Sequence, residues 1–307
     1  MTDTVPFFVS KFNKKSISLL IRECFGAQFP DISQKRQVQY LINYLNKLDA
    51  QTILCETNYI DRDYLNDHQK YYITCFNNYS TKCARLHFFS AEFSHDDILE
   101  WIEKNSTTEI SNLKCNYLGF SVIKPLPVTF LGRTCLKHYK SNDQRYYLEK
   151  IYTANLFGLD FEVKSIAFQE QDKVVAACAT TALWSLMHAT KHLYYKNVPS
   201  PSEITLNAIG SEPFNINGFP NEGLSDEQVL KALESFKLKQ HDLNINTEKN
   251  LSLEDINQYI QDHLDSEIPI LAGVSVFAKK SETYAHQGNH AITILGYSLD
   301  KTKLKSL

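Results

Sequence analysis

The residues best suited to do chemistry lie in one stretch, FQEQDKVVAACATTALWSLMHAT, from residue 168 to 190. It places Cys178 at the start of an apolar run with helical spacing, and Gln171 shortly before it. A cysteine in the first turn of a helix feels the positive end of the helix dipole, which favours the thiolate, the nucleophilic form of the side chain. The stretch therefore predicts a candidate nucleophile at Cys178.

A cysteine nucleophile needs a base, and one of the ten histidines differs from the others. His290 opens a predicted buried strand directly after the small residues Gly288 and Asn289. A strand can hold the imidazole ring firmly while the preceding polar loop, AKKSETYAHQGN, leaves one side of the ring open. His290 is therefore the candidate base.

The segment GNHAITILGYS around His290 closely resembles the histidine strand of papain-like cysteine peptidases. Gln171 followed by Cys178 resembles the other signature of that family, in the form found in bacterial C39-like peptidases, over roughly residues 160–307. The resemblance implies an α+β fold in which a helix bundle carrying Cys178 packs on an antiparallel sheet carrying His290. It also implies that Gln171, with the backbone N–H of Cys178, forms an oxyanion hole, although Gln169 is an alternative donor.

The family orients its histidine with an Asn or Asp on a following strand, and this sequence departs from that pattern. After His290 it contains no Asn and one acid, Asp300. A strand from His290 to Tyr297 advances about 3.3 Å per residue, which places Asp300 at the tip of the next hairpin, far from His290. Three explanations remain open: a third member past the end of this sequence, a contact from Ser306 or another segment, or a Cys–His dyad.

Other chemically suggestive residues have plainer interpretations. Asp172 is a turn residue or an N-terminal charge rather than a catalytic acid. Trp184 belongs to the core, although in this family an aromatic near the site can cover the histidine. His188 and His192 have the i, i+4 spacing of metal ligands, but no third ligand accompanies them, so a solvated helix face is the better interpretation. We expect no metal and no cofactor.

Three functions fit these residues. The first is a cysteine peptidase that cleaves a peptide or isopeptide bond of a peptide or protein substrate through an acyl-enzyme. The second is a transglutaminase-like or acetyltransferase-like enzyme that passes the acyl group to an amine. The third is a catalytically degenerate peptidase fold that binds a partner. The substrate, the biological process and the oligomeric state stay open.

The elements around the site suggest two regions. Residues 146–307 contain four predicted helices, two of them capped by Ser225 and Ser252, and then two strands. The chain length of 307 residues favours two domains. Residues 1–145 form a mixed α/β region with a helix after Ser33, a β-like run TILCETNYI and an aromatic helical stretch from Asp61 to Tyr79. In the same region ARLHFFSAEF is a predicted strand, and Ser94 with Asp97 predicts a capping box at the start of a helix. From Tyr117 to Phe168 the sequence changes to short β-rich runs, which suggests the boundary near residue 145. We expect this N-terminal region to select substrates or bind a partner.

Composition limits the function further. The net charge of −3 arises from mixed acidic and basic residues without a basic block, which argues against binding of nucleic acid. No apolar run approaches the roughly 20 residues of a membrane span, and no signal peptide is evident, so we expect a cytoplasmic protein without membrane attachment. The seven cysteines are scattered and form no C-x-x-C pair, which is typical of reduced thiols.

Overall fold

The computed structural model of the chain describes residues 6–29, 31–141, 143–191, 197–210, 219–220, 223–241, 243, 251–280 and 283–299. These residues form a mixed α+β protein with nine α-helices and eleven strands. The chain divides into two compact units. Unit 1 comprises Met1–Ser141 and Glu149–Glu170, and unit 2 comprises Asn142–Leu148 and Gln171–Leu307.

Unit 1 is built on a five-stranded antiparallel sheet in which each strand pairs with the next along the chain. The strands are β1 (Phe7–Lys11), β2 (Thr52–Tyr59), β3 (Cys83–Phe89), β4 (Tyr117–Ile123) and β5 (Leu131–Leu136). In register, Leu86 of β3 lies opposite Cys55 of β2 and Ser121 of β4.

Five helices of unit 1 connect these strands: α1 (Lys14–Phe25), α2 (Arg36–Asn46), α3 (Arg62–Lys70), α4 (His95–Glu103) and α5 (Thr107–Cys115). The apolar positions of α1 and α2 recur at helical spacing, so each helix buries one face. They form a single core with apolar residues of β2, β3, β4 and β5. Its members include Ile17, Ile21, Val38, Leu41, Leu45, Ile53, Cys55, Leu86 and Phe88.

The residues of alternate parity on β3, among them Arg85, His87 and Phe89, are also buried. A hairpin of β7 (Lys150–Leu156) and β8 (Leu159–Ser165) supplies their partners. Phe161 packs its ring 5.9 Å from that of Phe89, and Arg85 donates a 2.7 Å hydrogen bond to the carbonyl oxygen of Asn155. This hairpin therefore belongs to unit 1, and the division falls later than the boundary near residue 145 suggested by sequence texture.

The described residues of unit 2 form four helices, α6 (Cys178–Ala189), α7 (Pro201–Ile209), α8 (Asp226–Ser235) and α9 (Leu253–Asp265). Helix α6 packs on α7, and α7 packs on α8. Capping boxes at Ser200, Ser225 and Ser252 start α7, α8 and α9, because each serine accepts a backbone N–H while the third helical residue bonds back to the serine N–H.

The strands in the described part of unit 2 form two antiparallel pairs. β9 (Ile270–Lys280) pairs with β10 (Thr283–Ile294), and β11 (Gly296–Leu299) pairs with β6 (Gln144–Tyr147). Both long strands are half-buried or exposed along their described side chains: Phe277 is 55% exposed and Ile292 is 42% exposed.

Several sequence expectations are confirmed here. Helix α2 buries Val38, Leu41, Ile42 and Leu45, and Ser94 with Asp97 forms the capping box that starts α4. The predicted strands TILCETNYI and ARLHFFSAEF appear as β2 and β3. The four helices after Phe168 follow in the predicted order.

Three expectations are wrong. The predicted polar loop between the last two strands is largely strand, so His286 lies within β10. Neither of these two strands is buried, although both were expected to be. The aromatic stretch after Asp61 does not continue as one helix, because α3 ends at Lys70 and Phe76 is fully exposed.

Within the described part of the chain, no helix has both the length and the apolar character needed to cross a membrane.

Candidate functional site

Helix α6 begins at Cys178, and its N-cap residue is Ala177, whose backbone is extended. From Ala179 to Ala189 every side chain is buried except that of Ser185. Cys178 is partly exposed. The thiol thus lies at the accessible end of an otherwise buried helix, and its N–H is one of the first-turn groups that have no partner within the helix.

A tight loop leads into the cysteine and is organised by Asp172. Oδ1 of Asp172 accepts hydrogen bonds from the backbone N–H groups of Val174, Val175 and Ala176 at 2.8, 2.7 and 2.8 Å. The N–H of Asp172 in turn donates to the carbonyl oxygen of Ala176 at 2.9 Å. The turn predicted at Asp172 is present, and its carboxylate satisfies three buried or partly buried donors.

Buried hydroxyl groups hold the same loop from the helix side. Thr181 on α6 donates to the carbonyl oxygen of Ala176 at 2.9 Å, and Thr205 on α7 donates to that of Val175 at 3.3 Å. Thr205 also shares a 2.9 Å hydrogen bond with Thr180. In the backbone just before Cys178, the N–H groups therefore bond to Asp172 and the carbonyl groups bond to the threonine hydroxyls.

Strand β10 packs against α6. The hydroxyl of Thr293 donates a 2.6 Å hydrogen bond to the carbonyl oxygen of Ala182. Ala182 is one helical turn from Cys178, about 6 Å along the axis, and Thr293 is three residues from His290, about 10 Å along the strand. Within unit 2, the chain therefore brings the segments that carry the two candidate residues together.

Among the described residues, no hydrogen bond joins the side chains of Cys178 and His290. His290 pairs with Val274 of β9 and is exposed. Side chains alternate along a strand, so Thr293 and His290 lie on opposite faces of β10. A bulge lies between His286 and Gly288, where Gly288 has a φ of 131°, a conformation that favours glycine.

The two glutamines differ in their surroundings. Gln171 is exposed at the start of the Asp172 loop. Gln169 lies at the end of unit 1, and its Nε2 is buried without a hydrogen-bond partner among the described residues. Gln171 forms no hydrogen bond with Cys178 among the described residues, so its oxyanion-hole role remains a prediction.

The remaining candidates are partly settled. Trp184 is fully buried, as expected for a core residue, and its ring lies 4.1 Å from that of His188. His188 is buried, so the expectation of a solvated helix face is wrong at this residue. His192, Asp300 and Ser306 lie outside the described residues. Within the described ranges, no group of three or more His, Cys, Asp or Glu side chains is arranged to hold a metal ion.

The residues that sequence reasoning missed are the threonines. Thr181 and Thr205 brace the loop before Cys178, and Thr293 anchors β10 on α6. The only signal in the sequence is the presence of polar residues on otherwise apolar elements, where a buried hydroxyl needs a partner.

Comparisons of the chain with protein-family models, with curated proteins and with solved structures gave no match.

Proposed function

We propose that this chain is a papain-like cysteine peptidase that hydrolyses a peptide or isopeptide bond through an acyl-enzyme on Cys178. The observation that carries the proposal is the setting of Cys178. Its thiol is partly exposed at the first residue of a buried helix, directly after a loop fixed by Asp172, Thr181 and Thr205. A nucleophile needs this combination of access, a helix N-terminus and a rigid support.

In this proposal His290 is the base that removes the proton from the Cys178 thiol. The thiolate attacks the carbonyl carbon of the substrate, and the N–H of Cys178 with Gln171 holds the oxyanion of the tetrahedral intermediate. His290 then gives its proton to the leaving amine, and water hydrolyses the thioester. Because His290 lies on the face of β10 opposite Thr293, this step requires the backbone of β10 to rearrange when substrate binds. The bulge at Gly288, two residues before His290, interrupts the regular pairing of the strand there.

Acyl transfer to an amine uses the same thiolate and the same oxyanion donors. It differs from hydrolysis only in the group that attacks the thioester. Incubation of the chain with a peptide substrate and a primary amine separates the two: an amine-linked product indicates transfer, and free acid alone indicates hydrolysis.

The exposed position of His290, with no hydrogen bond to Cys178 among the described residues, favours a second candidate, a peptidase fold that binds a partner without catalysis. The two candidates differ in the reactivity of Cys178. The chain contains an internal reference thiol, since Cys115 is exposed and is the last residue of α5, whereas Cys178 is the first residue of α6.

Iodoacetamide labelling with peptide mapping tests the proposal. Near neutral pH we expect Cys178 to react roughly tenfold faster than Cys115, and His290→Ala to abolish most of that advantage. His286→Ala is the matched control, because His286 is another exposed histidine on β10. Equal labelling rates for Cys178 and Cys115 would overturn the hydrolase and the transferase together and leave the binding module.

A further inference from the structure

Two cysteines of unit 1 lie side by side. Cys24 is in the last turn of α1 and Cys55 is in the middle of β2. Their sulfur atoms are 3.6 Å apart and share a hydrogen bond, although 31 positions separate them in the sequence. Both side chains pack in the core between α1, α2 and the sheet.

The two thiols are not equivalent. Cys24 is half-buried, whereas Cys55 is fully buried. The hydrogen bond from Cys55 lowers the pKa of Cys24, and the same hydrogen bond together with burial raises the pKa of Cys55. The Cys24 sulfur is therefore the more accessible and the more easily ionised of the two. Cys55 is its buried, protonated neighbour.

We propose that Cys24 and Cys55 form a reversible disulfide, which makes this pair an oxidation site in unit 1. The sulfur atoms need to approach by about 1.5 Å to reach the S–S bond length. Cys24 is next to the end of α1, where the chain leaves the helix at Gly26 with a φ of 71°. The backbone at the end of a helix moves at a lower free-energy cost than the backbone in its middle, so Cys24 can approach Cys55.

The chemistry needs an oxidant, and hydrogen peroxide balances it. The thiolate of Cys24 attacks one oxygen of the peroxide, the O–O bond breaks, and Cys24 becomes a sulfenic acid while hydroxide leaves. The thiol of Cys55 then attacks the Cys24 sulfur, its proton and the sulfenic hydroxyl leave as water, and the S–S bond forms. Two electrons pass from the two thiols to one peroxide, and dithiothreitol reverses the step.

The bridge would join α1 to β2 across the core of unit 1. It restrains the unfolded chain by closing a loop of intermediate length, so oxidation is expected to raise the unfolding temperature of unit 1 by roughly 5 °C or more. This inference is independent of the proposed hydrolase, because it involves no residue of the Cys178 site.

Peptide mapping tests the site directly on the full chain. Trypsin releases Cys24 in peptide 23–35 and Cys55 in peptide 48–62, and each peptide contains a single cysteine. After brief treatment with hydrogen peroxide and blocking of free thiols, we expect a linked pair of these two peptides with the loss of two hydrogens. Dithiothreitol should restore both free thiols and reverse the rise in unfolding temperature.

Two variants complete the experiment. Cys24→Ser should remove both the linked pair and the temperature shift, and because Cys24 is only half-buried this variant is expected to fold. Cys115→Ser, which removes an exposed cysteine of the same unit, should leave both signals unchanged. The proposal is overturned if Cys24 is oxidised to a sulfenic or sulfinic acid without linkage to Cys55, or if it links preferentially to another cysteine.

Discussion

At Asp172, one carboxylate oxygen takes three backbone donors from the loop that precedes Cys178. Two of these donors belong to Val175 and Ala176, which are buried and have no access to solvent as a substitute partner. A buried N–H that loses its acceptor costs more free energy than the hydrogen bond itself contributes. The position of Cys178 therefore depends on Asp172, although Asp172 is six residues away.

We expect Asp172→Ala to lower the free energy of unfolding of unit 2 by about 2 to 3 kcal/mol, since it leaves more than one buried donor unsatisfied. The measurement is urea unfolding followed by fluorescence in a Trp101→Phe background, in which Trp184 is the one remaining tryptophan. Iodoacetamide labelling of Cys178 under native conditions should change in parallel, because the loop no longer holds the start of α6.

Asp172→Asn is the matched control for that variant. Asn keeps an Oδ1 acceptor at the same place, so it should retain most of the stability and the native labelling rate. If Asn were as damaging as Ala, the charge rather than the hydrogen-bond geometry would explain the effect, and the argument from three accepted hydrogen bonds would fail.

Single residues were predictable where their role is local. The turn at Asp172 and the burial of Trp184 follow from neighbouring residues, and both are confirmed. The burial of His188 did not follow from its spacing with His192, because it depends on the packing of α6 within unit 2. The roles of Cys178, His290 and Gln171 stay predictions, since they require contacts that the described residues do not make.

At the scale of elements, the helix starts were the most predictable features. Ser94, Ser225 and Ser252 each begin a helix, because a capping box satisfies backbone donors within four residues and needs no distant contact. The strands β9 and β10 were harder. Their polar residues from Lys279 to Asn289 indicated a loop, but two strands that pair with each other and expose both faces can carry polar residues throughout.

The attachment of β10 to α6 can be tested at Thr293. Valine has nearly the same shape as threonine but cannot donate to the carbonyl oxygen of Ala182. We expect Thr293→Val to lower the free energy of unfolding of unit 2 by about 1 kcal/mol, a typical cost for one partly buried hydrogen bond. Hydrogen exchange should be faster for the amides of β10 than in the unmodified chain.

Thr153→Val is the control for Thr293→Val. Thr153 is an exposed strand residue of β7, so the same change there should leave both stability and exchange within error. If the β10 amides exchanged equally fast in both variants, the contact with α6 would not be what holds the strand.

At the scale of the whole molecule, the division into two units was predictable only in part. Chain length favoured two regions, but the hairpin β7–β8 joins unit 1 because Phe161 and Asn155 meet residues of β3 that lie more than 65 positions earlier. Contacts over such a distance leave no local pattern. The short β-rich runs indicated a change along the chain. The unit to which β7 and β8 belong depends on their packing against β3, which the runs themselves do not indicate.

The same face of unit 1 contains a buried ionisable cluster that the sequence did not reveal. Glu56 of β2 pairs with Arg85 of β3 at 2.7 Å and with His87 of β3 at 3.4 Å, and His87 also bonds to the Tyr117 hydroxyl at 3.0 Å. His87 is completely buried. Burial lowers the pKa of His87 to about 4, despite the neighbouring carboxylate.

This pKa gives unit 1 a defined dependence on pH. In the folded state His87 stays neutral down to a pH of about 4, whereas in the unfolded chain a histidine takes up a proton near pH 6.5. Between these values the unfolded state binds more protons, so stability is complete above about pH 6.5 and falls as the pH approaches 4. The loss from His87 amounts to about 3 kcal/mol.

We expect His87→Gln to remove most of this slope, because glutamine does not titrate and can still bond to Glu56 and Tyr117. Urea unfolding in a Trp184→Phe background, monitored by the fluorescence of Trp101 in unit 1 at several pH values from about 7 to 4, measures the slope. His286→Gln, which changes an exposed histidine of unit 2, should leave it intact. An unchanged slope in His87→Gln would mean that other groups, such as the carboxylate of Glu56, control the acid sensitivity of the unit.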